Sequence, residues 1–422
     1  MTACIWFISK YVITPAAGDP AGRGYGLMRE FARLGCQPVI VTSDSMGKFD
    51  APVAEHPYVI DEREGITLCR VRTLKYANSK SMRRILSWLD FERRLLRLPK
   101  NALPEPDAIV VSSLSLLTVL NGLRLRRRYK CRLVFEVRDI WPLTIVESGG
   151  LSPRNPCVLA LGAVEKLGYR RADAIVGTMP NLGAHVEKVT GRSIPTFCIP
   201  QGVDVDAIRT PEPLPADYVE TYIPADKFLV AYAGSIGVAN AMDVLFDCVA
   251  SMRSDEHIHF VVLGDGELRQ SYLDRYGSLP NLTFAPAVPR SQVPGFLGRC
   301  DLLYLSVRNS GLYEYGISPN KLIDYMAAAK PIVASYSGFP SMINEAECGT
   351  FVPAEDSSAL RDEIRRFGGM ASEDREAMGE RGRTWLLANR DFRVLAEDYL
   401  AILLPHETRS DPEARSGHSS AP

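Results

Sequence analysis

The stretch Tyr315-Gly-Ile-Ser-Pro-Asn-Lys-Leu-Ile-Asp-Tyr-Met-Ala-Ala-Ala-Lys-Pro-Ile-Val-Ala-Ser335 holds a turn, a helix start, a helix and a short apolar strand in succession. Ser318 offers a capping hydroxyl and Pro319 suits the first helical position, so a helix is predicted over 319–328. The start of such a helix presents unpaired N–H groups and the positive end of its dipole, which suits a phosphate. Lys321 adds charge in the first turn. Asp324 lies three residues further on, facing the same cleft, where a carboxylate can take both hydroxyls of a ribose.

The same alternation runs outward in both directions. Apolar runs at 4–9, 39–42, 108–112, 133–137, 174–177 and 196–199 read as strands, as do 229–233, 259–263, 282–284, 302–305 and 332–334. Short continuous runs of this kind suit parallel strands covered on both faces. Helical stretches such as 24–34 lie between them, which argues for doubly wound α/β sheets. Pro200, Pro211, Pro213, Pro215 and Pro224 punctuate the middle of the chain and mark a boundary there. The expected organisation is a first domain over 1–205 and a second over 206–385. A helix over 386–405 is expected to return to the first domain, and a polar, disordered tail to occupy 406–422.

With 422 residues, 46% hydrophobic and 23% charged, the chain has the composition of a globular enzyme of two domains. A formal net charge of −1 gives no overall attraction to nucleic acid. Nine cysteines are scattered without a CxxC pair and without histidines at zinc-ligand spacing, which favours a reducing compartment and no structural metal. The apolar run from Cys4 lacks a preceding positive region, so it does not read as a secretory signal. No stretch approaches the ~18 apolar residues a membrane span requires.

Other segments carry chemistry. Arg138 and Asp139 end a strand and are expected either to project into the cleft or to form a buried pair that holds the loop. Gly18-Asp-Pro-Ala-Gly-Arg-Gly-Tyr-Gly26 follows the first strand, and Gly22 and Gly24 allow close backbone approach to a phosphate or sugar. It fails as a dinucleotide fingerprint because its glycines are two apart and its loop is too long. Asp204 and Asp206 make a DxD pattern, but no metal is expected there. Between 80 and 100, seven basic residues interleave with Ile85, Leu86, Trp88, Leu89, Phe91, Leu95, Leu96 and Leu98. Such a helix either lies in an anionic membrane interface or packs its apolar face on the first sheet. The basic run 124–132 could reinforce the membrane contact.

The opening stretch resembles the donor-binding signature of family 4 of the retaining glycosyltransferases. Its SPNKLIDYMAAAKPIV segment is similar to the subgroup that builds O-antigen and capsule repeats with amino sugars. Phe135-Glu-Val-Arg-Asp-Ile-Trp-Pro142, Ala233-Gly-Ser-Ile-Gly237 and Gly264-Asp-Gly-Glu267 fit the same pattern in the right order, so the resemblance covers nearly the whole chain. It implies the GT-B fold, two Rossmann-like domains facing a central cleft. It also implies metal-independent transfer, with retention, of an N-acetylated or deoxy amino sugar. The donor would be a UDP-sugar and the acceptor a polyprenyl-diphosphate-linked saccharide, at the inner face of the cytoplasmic membrane. Under that resemblance Gly22, Gly24, Gly234, Ser235, Gly264, Gly266, Val288, Arg308, Ser318, Asn320, Lys321 and Asp324 hold the donor. Arg138, Asp139 and Lys321 serve the chemistry.

Departures from the family pattern are equally specific. Gly316 stands where the first of two family acidic residues belongs, with Glu314 nearby as a substitute. Ser235 and Asn240 stand where the family has Arg and Lys, leaving Lys321 and Arg308 as sources of positive charge. Arg138 stands near a family histidine. Two other readings share the fold: a UDP-N-acetylhexosamine epimerase, which needs no acceptor, and a non-catalytic membrane-associated scaffold, which needs no nucleotide.

Overall fold

The computed structural model describes residues 2–15, 22–45, 56–76, 81–113, 115–208 and 212–405. Gly18 to Ala21 of the glycine-rich loop, Lys80 and the 406–422 tail lie outside the described residues.

Two sheets organise the chain. The first has eight strands: β1 (Cys4–Ile8), β2 (Gln37–Ser43), β3 (Tyr58–Arg63), β4 (Ile66–Val71), β5 (Ala108–Ser112), β6 (Arg132–Val137), β7 (Ala174–Gly177) and β8 (Thr196–Cys198). Their order is β3-β4-β2-β1-β5-β6-β7-β8. The second has six: β9 (Phe228–Ala233), β10 (Ile258–Leu263), β11 (Leu282–Ala285), β12 (Leu302–Ser306), β13 (Ile332–Ser335) and β14 (Gly349–Val352). Their order is β11-β10-β9-β12-β13-β14, and every pair is parallel. In both sheets the order reverses beside the first strand, which places a ligand crevice at the carboxyl ends of β1 and β9.

The central strands are apolar on both faces because helices cover both. In the first sheet Trp6 and Ile8 pack with Phe91, Val119 and Tyr169 on one side. Ile5 and Phe7 pack with Leu27, Phe31 and Tyr399 on the other. Side chains alternate across a strand, so an unbroken apolar run is what such a position requires. The β3–β4 hairpin departs from this and was not expected. It turns at Glu64 and Gly65, both at positive φ, and pairs antiparallel at the sheet edge. Its outer strand, Tyr-Val-Ile-Asp-Glu-Arg, is half polar and so gives no apolar run.

The chain crosses between the domains more than once. The helix Phe392–Leu403 packs on the helix Arg23–Arg33 of the first domain, with Phe392 pressed so close that a Cβ on Gly26 would lie 2.7 Å from its ring. The short turn Gly311–Tyr315 reaches across from the second domain. Tyr315 is buried in the first-domain core, edge-on to His185 with ring centres 5.0 Å apart. The Asn181 N–H donates to Tyr315 O at 3.1 Å, and the Asn181 side chain donates to Glu314 O at 3.0 Å. Ser310 Oγ donates to Glu147 at 3.0 Å. These first-domain partners follow β6 and β7, so the carboxyl edge of the first sheet faces the second domain.

Candidate active site

The site expected to hold a donor is built at the carboxyl ends of β9, β10 and β11. A cavity of about 350 Å³ opens there, lined by Gly234, Ser235, Gly264, Val288, Asn320, Lys321 and Asp324 among others. Seven of the residues expected to hold a donor therefore converge in one place. Two glycines make the space. Gly264 has φ +143°, and a Cβ there would sit 1.9 Å from Gly234 O. Gly234 has φ +148°, and a Cβ there would sit 2.3 Å from Lys321 Cε. Only glycine meets both demands, since positive φ and a missing side chain coincide.

Lys321 stands in the first turn of the helix Asn320–Ala327 and runs under Gly234. Its Nζ donates to Tyr232 Oη and, at 2.7 Å, to Asn240 Oδ1. Both partners are neutral, and no carboxylate pairs with it among the described residues. Burial therefore lowers its pKa to about 8. A cation held without a counter-ion beside backbone N–H groups can receive a diphosphate.

Asp324 sits one turn further along. Burial raises its pKa, and Arg290 opposes the rise through a 2.7 Å bond to Oδ1. Asp265 of the Gly264–Glu267 segment also lines the cavity, as does Arg290, which was missed from sequence. The signal for Arg290 was its place two residues after Val288, which was itself expected to hold the donor.

Several expected residues lie elsewhere. Ser318 does not cap the helix; its Oγ accepts from the Gln201 N–H at 3.0 Å, and Pro319 precedes the first turn without a side-chain cap. The hydroxyl is drawn to the interdomain segment instead. Gly24 is buried inside the helix Arg23–Arg33, where a Cβ would lie 2.8 Å from the Phe7 ring, so it serves helix-on-sheet packing rather than ligand approach. Gly22 precedes that helix and donates its N–H to Ile13 O at 3.1 Å. Gly266 packs under Ile236 O, 2.3 Å from a notional Cβ, and Arg308 is exposed; neither lines the cavity.

Gly316 explains its own departure from the family pattern. Its φ is +96°, and a Cβ would meet the Pro180 ring at 2.5 Å, so no acidic side chain fits there. Glu314 is exposed beside the first domain.

Across the cleft, Arg138 and Asp139 follow β6. They do not pair with each other: Arg138 has no side-chain hydrogen bond or ion pair among the described residues. Burial pushes its guanidinium below the ordinary range, while Glu136 pulls the other way. The Asp139 side chain reaches water, but protein crowds it at longer range, and this loss of hydration raises its pKa against the pull of Arg138. Glu136 beneath them is fully buried and bonds Arg23 at 2.5 Å; Arg23 also donates to Ile199 O and Pro200 O. Asp204 and Asp206 each bond an arginine at 2.7 Å, Arg29 and Arg393 respectively. Among the described residues no group of three metal-ligating side chains occurs.

The helix Met82–Leu96 packs on the first sheet with part of its apolar surface. Phe91 and Leu95 are buried against the sheet, while Met82, Ile85, Leu86, Leu89 and Leu96 are exposed, Met82 by 71%. No helix among the described residues is long and apolar enough to cross a membrane.

Comparison with known proteins gives matches in both halves. Residues 23–202 match the family model described as Glycosyl transferase 4-like domain. Residues 227–368 match the model described as Glycosyl transferases group 1. A phosphatidyl-myo-inositol mannosyltransferase of Mycobacterium leprae (strain TN) is 26% identical over 168 residues, spanning 39% of this chain and 42% of that protein. Among solved structures, sucrose-phosphate synthase from Thermosynechococcus elongatus has a TM-score of 0.68 at 17% identity, covering 95% of this chain and 98% of its own. Anabaena Alr3699/HepE in complex with UDP-glucose has a TM-score of 0.63 at 15% identity, covering 95% and 99%. These likenesses give the fold: GT-B, with two Rossmann-like domains.

Proposed function

We propose that this chain, a GT-B protein of the family 4 glycosyltransferases, transfers a sugar from a nucleoside diphosphate donor, most simply a UDP-sugar, to a saccharide acceptor. One observation carries the reading: a cationic Lys321 with only neutral partners, set below Gly234 at a helix start, with Asp324 one turn away in the same cavity. The diphosphate lies over Gly234 and the helix start, Asp324 takes the ribose, and backbone groups around Val288 read the base. HepE, related in fold, was solved with UDP and with UDP-glucose, which supports the donor class.

The mechanism proposed is front-face displacement with retention. The acceptor hydroxyl attacks on the side from which the diphosphate leaves, and Lys321 stabilises the charge developing on the leaving group. Arg138 and Asp139 orient the sugar from the opposite wall. An N-acetylated or deoxy amino sugar and a polyprenyl-diphosphate-linked acceptor follow from the sequence resemblance. The exposed leucines of the helix Met82–Leu96 support a seat on an anionic membrane face.

Thermal-shift binding with UDP, other nucleotides and UDP-sugars tests the core of this reading. Stabilisation by UDP or a UDP-sugar, lost in Asp324→Ala, is the expected result. A folded wild-type protein that no nucleotide stabilises would sink it and favour a non-catalytic scaffold. Donor turnover without any acceptor would favour the epimerase.

A further inference from the structure

An aromatic cluster outside the donor cavity has no part in the reading so far. It occupies the carboxyl edge of the first sheet, where Tyr11 follows β1, Tyr76 follows β4 and Trp141 follows β6 by four residues. Trp88 enters from the helix Met82–Leu96 and stands edge-to-face with Trp141, ring centres 5.6 Å apart. Tyr11, Trp88 and Trp141 are each half-buried, so each keeps part of its surface open.

The polar ends of Trp88 and Tyr76 converge on one oxygen. Trp88 Nε1 donates to Tyr11 Oη at 2.7 Å, and Tyr76 Oη donates to the same atom at 2.9 Å. With Tyr76 as donor the Tyr11 hydroxyl accepts twice, and its own proton has no other acceptor among the described residues. A phenol can donate once and accept, so this donor is unspent. Two incoming bonds polarise it and strengthen what it offers. Lys10 Nζ, 4.7 Å from the centre of the Tyr11 ring, adds a cation on its face.

We infer that Tyr11, Trp88 and Trp141 form the seat for a pyranose ring of the acceptor, with Tyr11 donating to a ring hydroxyl and the indoles lying against its C–H face. Flat, rigid rings beside a single directed polar group are the ordinary lining of a small-molecule site. The location agrees: Trp141 is two residues beyond Asp139, its N–H donates to Asp139 O at 3.0 Å, and this edge faces the second domain. The inference rests on the transferase reading, since it supplies that reaction's second substrate.

The test uses the full chain saturated with UDP and saturation-transfer NMR with methyl glycosides of glucose, galactose, mannose and N-acetylglucosamine. UDP binding is measured first, in every variant. At least one glycoside shows transfer to its ring protons. Tyr11→Phe removes the hydrogen bond to the sugar along with the acceptor shared by Trp88 and Tyr76, and weakens that binding roughly 5- to 10-fold or more. Trp141→Leu abolishes it, and both variants still bind UDP. Absence of ring transfer from all four sugars on the UDP-bound wild type overturns the inference, as does equal binding by both variants. Failure of the wild type to bind UDP is a different result: it removes the transferase reading and this inference with it.

Discussion

If Lys321 receives a diphosphate, it ties that affinity to pH. Its free-state pKa is about 8 because it is buried without a counter-ion. By simple titration it is roughly nine-tenths charged at pH 7 and about one-tenth charged at pH 9. A bound diphosphate draws the proton back, so binding at pH 9 must first protonate the lysine. The expected loss in UDP affinity between pH 7 and pH 9 is therefore about tenfold, or ~1.4 kcal/mol. Isothermal titration of UDP across this range measures it, with Lys321→Met as control because any titration of the nucleotide itself is common to both. The free protein should move in the opposite sense. A lysine whose folded pKa lies below its ordinary 10.5 binds fewer protons folded than unfolded between about 8 and 10.5, so its penalty on folding is relieved as pH rises through that window. Equal pH slopes for wild type and Lys321→Met would refute the assignment of Lys321 to the diphosphate.

Other perturbations separate binding from architecture. Asp324→Asn should weaken UDP roughly tenfold or more by calorimetry, since charge-assisted bonds are lost. The same change should cost the fold under about 1 kcal/mol, because Arg290 is nearly half exposed. Gly316→Glu should lower stability by about 1–3 kcal/mol in chemical denaturation, from forced positive φ and the Pro180 contact. Glu136→Gln should cost about 3–5 kcal/mol by leaving Arg23 buried with a weaker partner. Burial raises the Glu136 pKa, but Arg23 and Arg138 outweigh it and hold it low. Its stabilisation is thus complete above about 4.5 and fades as pH falls through the lower folded value, which acid denaturation of wild type against this variant will read.

Much of the fold was legible because buried parallel strands write themselves as short apolar runs. The runs at 108–112 and 174–177 coincide with β5 and β7 to the residue. The edge hairpin was not legible, since a strand with one wet face looks half polar. In the site, Gly234, Gly264, Lys321 and Asp324 could be named from motif and strand order alone. What the sequence could not supply was direction. Ser318 precedes a helix and reads as a cap, yet its hydroxyl serves another segment; Gly24 reads as loop glycine yet is a packing glycine. The pairing of Arg290 with Asp324 was not legible, because the two are 34 positions apart.

The turn that carries Tyr315 into the first-domain core has a practical consequence for building hybrids of such proteins. The proline-punctuated boundary invites a splice between 203 and 215 to join this second domain to a foreign first domain. It would carry Tyr315 to a partner lacking the recess beside His185 and the Pro180 ring opposite Gly316. Because Lys321 and Asp324 begin only a few residues later, the misfit would be transmitted straight into the donor seat. The modular unit for exchange is therefore not a contiguous half of the chain. It is the second domain together with the surface of the first that receives its tyrosine.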